Sequence, residues 1–169
     1  CRMLRLREYQ NSHARRIVAW LEDERQFARW AAGRMQWPLT EERFQDFAAE
    51  LLKDSRTMLV TAADELNEPV GFLCMTKADY EKHRIHFCFI VVSNKSRGKG
   101  YGTQMLQQAI RYAAELLQMQ RITLRVFEDN AAARHCYQKI GFKDEAYYPA
   151  AFEWQNETWA AYDMAWTGV

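Results

Sequence analysis

Lys95, Arg97 and Lys99 are set among Gly98, Gly100 and Gly102, and this short run is the part of the sequence best suited to hold an anion. It follows an apolar stretch, His86 to Val92, and leads into a helical pattern. A strand, a turn rich in free backbone N–H groups and a helix N-terminus together make an anion-binding corner. No acid occurs between Glu81 and Glu115, so the local sign suits a phosphate. The glycine spacing is not the dinucleotide fingerprint, and no Gly-Lys-Ser/Thr makes a Walker loop. What remains is Arg97-x-x-Gly100-x-Gly102.

The elements that must position this loop can be read from hydrophobic period. Met3 to Glu8 alternates as a first strand; Ser12 is an expected N-cap for a helix with Ala14, Ile17, Val18 and Leu21 inward. The stretch around Trp30, Arg34, Trp37 and Pro38 reads as a loop, and Thr40 as the cap of a second helix carrying Phe44, Phe47, Ala48 and Leu51. Met58–Ala62, Val70–Thr76 and Ile85–Val92 read as strands joined by short, antiparallel connections. Met105 to Leu117 marks one face of a helix, with Leu116 and Leu117 included. Ile122–Phe127 is a strand parallel to the one before that helix. Asn130 caps a helix that Gly141 ends, and Phe142–Tyr148 and Thr158–Trp166 are the last strands, with Pro149 to Glu157 between them. The order β-α-α-β-β-β-α-β-α-β-β is an α/β (α+β) mixed sheet with helices on both faces. A slot is expected where an antiparallel strand hands over to a parallel one.

The chain has 169 residues, enough for one domain, expected to run over 1–169. Its formal charge of +1 argues against nucleic acid as a partner, and its apolar runs are too short to span a bilayer. No signal-peptide pattern is visible. The four cysteines, Cys1, Cys74, Cys88 and Cys136, have no paired zinc or redox spacing, so free thiols in a reducing cytoplasm are expected. Cys1 points to an altered or trimmed start, with Met3 as a candidate initiator. No metal-ligand cluster or nucleophile elbow is present in the pattern.

Asn130-x-x-Ala133-x-x-x-Tyr137-x-Lys139-x-Gly141-Phe142 follows the glycine loop by about thirty residues. Together the two segments resemble the GNAT superfamily of acyl-CoA-dependent N-acetyltransferases, whose fold order also matches over essentially the whole chain. The resemblance implies acetyl-CoA as acetyl donor and a primary amine, small molecule or protein N-terminus, as acceptor, joined by direct attack in a ternary complex. It implies that backbone N–H groups of Arg97, Gly98, Lys99, Gly100, Tyr101, Gly102 and Thr103 hold the pyrophosphate. The pantetheine arm would run along Ile90, Val91 and Val92, with Asn130 hydrogen-bonding it. Arg134 is a further phosphate candidate, or else a solvated surface cation.

Tyr137 matches the family's general acid, against the alternative of a core tyrosine at helical spacing. The N–H of Ile90 is the implied oxyanion donor. His86 lies eleven residues before Arg97, where some relatives carry a base. Alternation would put it on one face with Cys88, Ile90 and Val92; a hydrogen-bonded strand histidine and a mechanism with no dedicated base are the alternatives. His13, His83 and His135 are expected to face solvent.

The acceptor walls are expected from Trp30 and Trp37 on one side and Tyr147 on the other, with Tyr148, Phe152 and Trp154 nearby. The opening insertion and Asn156-Glu157-Thr158-Trp159 resemble the ribosomal-protein N-terminal acetyltransferase branch. A homodimer through the aromatic last strands is a further expectation. The alternative function is a catalytically silent acyl-CoA sensor or protein-interaction module of the same fold.

Overall fold

The computed structural model describes residues 3–96 and 98–168; Cys1 and Arg97, and the expectations placed on them, lie outside the described residues. Seven strands form one mixed sheet in the order β1-β2-β3-β4-β5-β7-β6. They are β1 (Arg5–Glu8), β2 (Met58–Ala63), β3 (Pro69–Asp79), β4 (Arg84–Val92), β5 (Arg121–Phe127), β6 (Lys143–Trp154) and β7 (Glu157–Trp166). Among the described residues, only β4 and β5 pair in parallel. This is the mixed α/β architecture expected from the element order.

Three helices, not two, separate β1 from β2: α1 (Ala14–Ala19), α2 (Glu24–Ala31) and α3 (Glu41–Leu52). The stretch read as a loop contains α2. Asp23 caps it by accepting from the Gln26 N–H at 3.0 Å, and Phe27, Trp30 and Ala31 bury one face at helical spacing. Thr40 caps α3 as expected, accepting from the Arg43 N–H at 3.1 Å, with Glu41 and Glu42 favourably placed in the first turn. Ser12 is not a cap; it lies in a 3-10 turn ahead of α1.

These three helices cover one face through Tyr9, Ile17, Phe44, Phe72 and Phe89. On the other face, α4 (Tyr101–Arg111) and α5 (Ala131–Lys139) pack Met105, Leu106 and Tyr137 against Leu73, Phe87 and Leu124. A π-helical turn, Tyr112–Leu116, follows α4 and rotates the pattern, so Leu116 is 71% exposed and does not continue the inward face.

The Pro149–Glu157 segment is mostly strand. β6 runs to Trp154 with a register shift between Tyr148 and Phe152, and the hairpin turns on Gln155 and Asn156 alone. Both have positive φ, 46° and 65°, as a tight two-residue turn with the strands' twist demands. A small third core of Ala28, Phe127, Trp159 and Ala161 joins α2 to this second half of the sheet. No helix among the described residues is long and apolar enough to cross a membrane.

Candidate functional site

The sheet parts where the parallel pair begins. β4 and β5 are in register only at Arg84–Arg121, Ile85–Ile122 and His86–Thr123. Beyond His86 the two strands diverge, and a cleft of about 1340 Å³ opens between them, reaching from α2 to α5. His86 sits at its base, where its Nδ1 meets the Thr123 hydroxyl at 2.8 Å.

β4 does not alternate along its whole length. Phe89 adopts φ 51°, an uncommon state for a bulky residue, and the β3–β4 register slips between Phe72/Val91 and Cys74/Cys88. Three steps on β4 therefore oppose two on β3, which is a β-bulge. Cys88, Phe89 and Val91 pack toward the α1–α3 core, whereas Ile90 and Val92 pack toward α4. The expected common face of His86, Cys88, Ile90 and Val92 is thus corrected: the extra residue flips everything after it. All of Ile90, Val91 and Val92 still line the cleft. On the side facing β5 their edge has no strand partner among the described residues.

The anion corner lies at the far end of β4. Gly98 and Gly100 hold φ +79° and +74°, and a Cβ on either would meet nothing within 4 Å, so their conformation, not crowding, calls for glycine. Gly100 is the N-cap of α4, and the first turn contains no acid. The N–H groups of Tyr101, Gly102 and Thr103 are the orphan donors of that turn. The Lys99 N–H, by contrast, already bonds the Ser96 carbonyl at 3.3 Å. The Tyr101 ring is buried in the core, leaving only its backbone to face a ligand. Gly102 borders the cleft directly, and the Thr103 hydroxyl rests 3.3 Å from the Cys136 sulfur.

Asn130 occupies the N-cap of α5, but its side chain makes no capping bond and the residue lines the cleft, available to a ligand. Tyr137, also on the cleft wall, is 8% exposed. Burial raises its phenol above the usual range, with Cys136 adding to the effect, so the proton stays on at neutral pH. Arg134 turns away to a two-pronged bond with Asp144 and stacks over Tyr162 at 3.7 Å.

His86 is pushed the opposite way, down to about 4, first by burial and then by Lys77 and Arg125, with Asp163 opposing. Its imidazole is neutral at physiological pH. Arg125 and Asp163 form a two-pronged pair across β5 and β7, at 2.6 and 3.1 Å. Arg121 and Glu145 pair in the same way beside them.

Of the expected acceptor walls, Trp30 lines the cleft, packed on Phe89 at 5.4 Å. Trp37 and Tyr147 do not. Trp37 packs on Phe27 at 5.4 Å, and Tyr147 faces Tyr162 at 4.9 Å, while its neighbour Tyr148 takes the cleft side of β6. Arg34 and Lys77 line the cleft as well and were not signalled by any motif. His13 is buried, not solvent-facing: it accepts from the Gln10 N–H at 3.1 Å and meets Thr61 at 3.0 Å.

Comparison with known proteins places this geometry. Residues 6–142 match the model of the acetyltransferase (GNAT) family. The spermine/spermidine N(1)-acetyltransferase of Bacillus subtilis is 35% identical over 65 residues, 38% of this chain and 43% of that protein. The aligned region thus spans under half the length of that relative. An N-acetyltransferase 9-like protein of Caenorhabditis briggsae is 26% identical over 84% of this chain and 75% of its own length. In structure, spermidine N-acetyltransferase from Vibrio cholerae, solved in complex with CoA and spermine, superposes with a TM-score of 0.83. That match covers 96% of this chain and 94% of the other at 18% identity, a likeness of fold.

Proposed function

Because this chain belongs to the acetyltransferase (GNAT) family, we propose that it transfers acetyl from acetyl-CoA to a primary amine by direct attack within the cleft. The observation that carries this reading is the parting of β4 from β5 immediately after His86. It leaves an unpaired strand edge leading straight to the glycine turn and the orphan N–H groups of α4.

The residues fit the donor. Tyr101, Gly102 and Thr103 would bind the pyrophosphate through backbone N–H groups, aided by the α4 dipole. Asn130, with no capping bond of its own, would take an amide of the pantetheine arm along Ile90–Val92. Acetyl-CoA supplies the activated thioester: a C–N bond forms, the C–S bond breaks, and the amine gives up one proton.

Around that exchange, the Ile90 N–H would steady the oxyanion, a contact whose loss typically costs about 10²–10³ in rate. Tyr137 would hold a proton beside the departing sulfur. His86 is a weak base in this setting: direct transfer from an ammonium of pKa ~10 to an imidazole at about 4 is uphill by roughly 8 kcal/mol. The better role for it is to orient the amine or a water, the proton passing to solvent. The cations that depress His86 also favour loss of that proton from an incoming ammonium.

Thiol release from acetyl-CoA against a panel of amines tests the proposal, with acetyl-CoA affinity measured alongside by calorimetry. Amine-dependent release is the expected result. Tight binding with no release for any amine would instead support an acyl-CoA sensor, and absence of binding would overturn both.

A further inference from the structure

We infer that the acceptor half of the cleft takes a primary amine that also carries a carboxylate, held by Arg34 and Lys77. This rests on the acetyltransferase reading and narrows its acceptor.

Among the described residues, the charges lining the cleft are five cations, Arg29, Arg34, Lys77, Arg121 and Arg125, against two carboxylates, Glu145 and Asp163. Both carboxylates are already engaged, by Arg121 and Arg125. Arg29 bonds Asp129 at 3.0 Å. Among the described residues, Arg34 and Lys77 are the cleft cations with no ion-pair partner. Among the described residues, no cleft-lining carboxylate is left over to receive a second ammonium of a polyamine, whereas an anion meets two unpaired cations.

Both cations stand apart from the phosphate corner. The Arg34 guanidinium lies 5.6 Å from the Phe89 ring and 6.0 Å from the Phe47 ring, on the α1–α3 side of the sheet. Lys77 follows Thr76, the β3 partner of His86. Both act on Cys88, two residues along from His86. The glycine turn follows Val92, four strand residues and about 13 Å beyond Cys88 at ~3.3 Å per residue. The donor's phosphates are therefore served elsewhere. Arg34 is solvent-exposed, so its planar fork can accept a carboxylate in two-pronged fashion without first breaking a bond.

The test pairs acids with their esters. Initial rates of CoA release are measured for the standard amino acids, β-alanine and γ-aminobutyrate, for their methyl esters, and for spermidine, after acetyl-CoA binding has been shown by calorimetry. The expected result is at least a tenfold preference in kcat/KM for one or more acids over the matching ester and over spermidine. Arg34→Ala should raise KM for that acid tenfold or more and leave the ester unchanged, with Arg34→Lys recovering part of the loss. Lys77→Ala should also raise KM for that acid, by more than it changes the ester. Preference for spermidine, equal loss for acid and ester in the variants, or no turnover of any acid by protein that binds acetyl-CoA would each overturn the inference. Failure to bind acetyl-CoA would instead remove the acetyltransferase reading beneath it.

Discussion

The Tyr137 carbonyl accepts the Phe142 N–H at 2.9 Å while their two rings pack 6.1 Å apart. The Gly141 N–H bonds the Gln138 carbonyl at 3.2 Å. This is a Schellman cap with its usual hydrophobic contact, closing α5 through a glycine at φ 112°. The spacing Tyr-x-x-x-Gly-Phe is therefore a structural rule before it is a chemical one. It locks the last turn of α5, and so the tyrosine on it, against the cleft wall.

Gly141→Ala breaks that lock in two ways. Its φ disfavours any side chain, and an added Cβ would sit 2.9 Å from Trp166 Cδ1. A loss of about 1–3 kcal/mol is expected. Urea unfolding followed by tryptophan fluorescence measures it, and a variant as stable as the parent would contradict the account of the cap.

Tyr137→Phe keeps the ring packing and removes the hydroxyl. Turnover should fall by roughly 10²-fold or more, the scale of a lost general acid, with acetyl-CoA affinity changed by no more than about threefold. Calorimetry and steady-state rates separate the two effects. Unaltered kcat would mean that Tyr137 serves only the core.

His86 predicts how stability depends on pH. Its folded value, about 4, lies below the ordinary histidine value, so between the two the unfolded chain binds more protons. Stability is then complete above about pH 6.5 and falls as pH drops toward about 4, by roughly 3 kcal/mol. His13, lowered by burial and then by Arg7, acts with the same sign. Denaturant melts from pH 7.5 to 4 on the parent and on His86→Gln should show a shallower decline in the variant; identical slopes would reject His86 as a source.

Gly102→Glu tests the anion corner without disturbing the fold. A Cβ there meets Val92 Cγ2 at an ordinary 3.5 Å, so the backbone tolerates it. A carboxylate at an acid-free first turn should oppose a phosphate and weaken acetyl-CoA at least tenfold, at an unchanged melting temperature. Undiminished affinity would place the phosphates elsewhere.

Local relations were legible without coordinates. The glycine turn, the Asn130 to Phe142 segment and the caps at Thr40 and Gly141 each involve residues close along the chain, where spacing alone decides who can meet. Two signals of the same kind also stand in the sequence: Asp23 ahead of Phe27, Trp30 and Ala31, and the Gln155-Asn156 pair in a tight turn.

What no spacing encodes is where distant segments agree or part. Period-two alternation assumes an unbroken ladder, and the bulge at Phe89 arises from how β4 registers against β3, so Ile90 and Val92 changed faces. His13 is buried because Thr61, forty-eight residues away, comes to meet it. Arg34 and Lys77 reach one cleft only once α2 and β3 are assembled around it. The sequence by itself determined the mixed-sheet class, the glycine turn and the capped tyrosine helix, since these depend on neighbours along the chain. The tertiary structure alone decided where β4 leaves β5 and which charges remain unpaired there, since both are settled by contacts between segments that the chain keeps far apart.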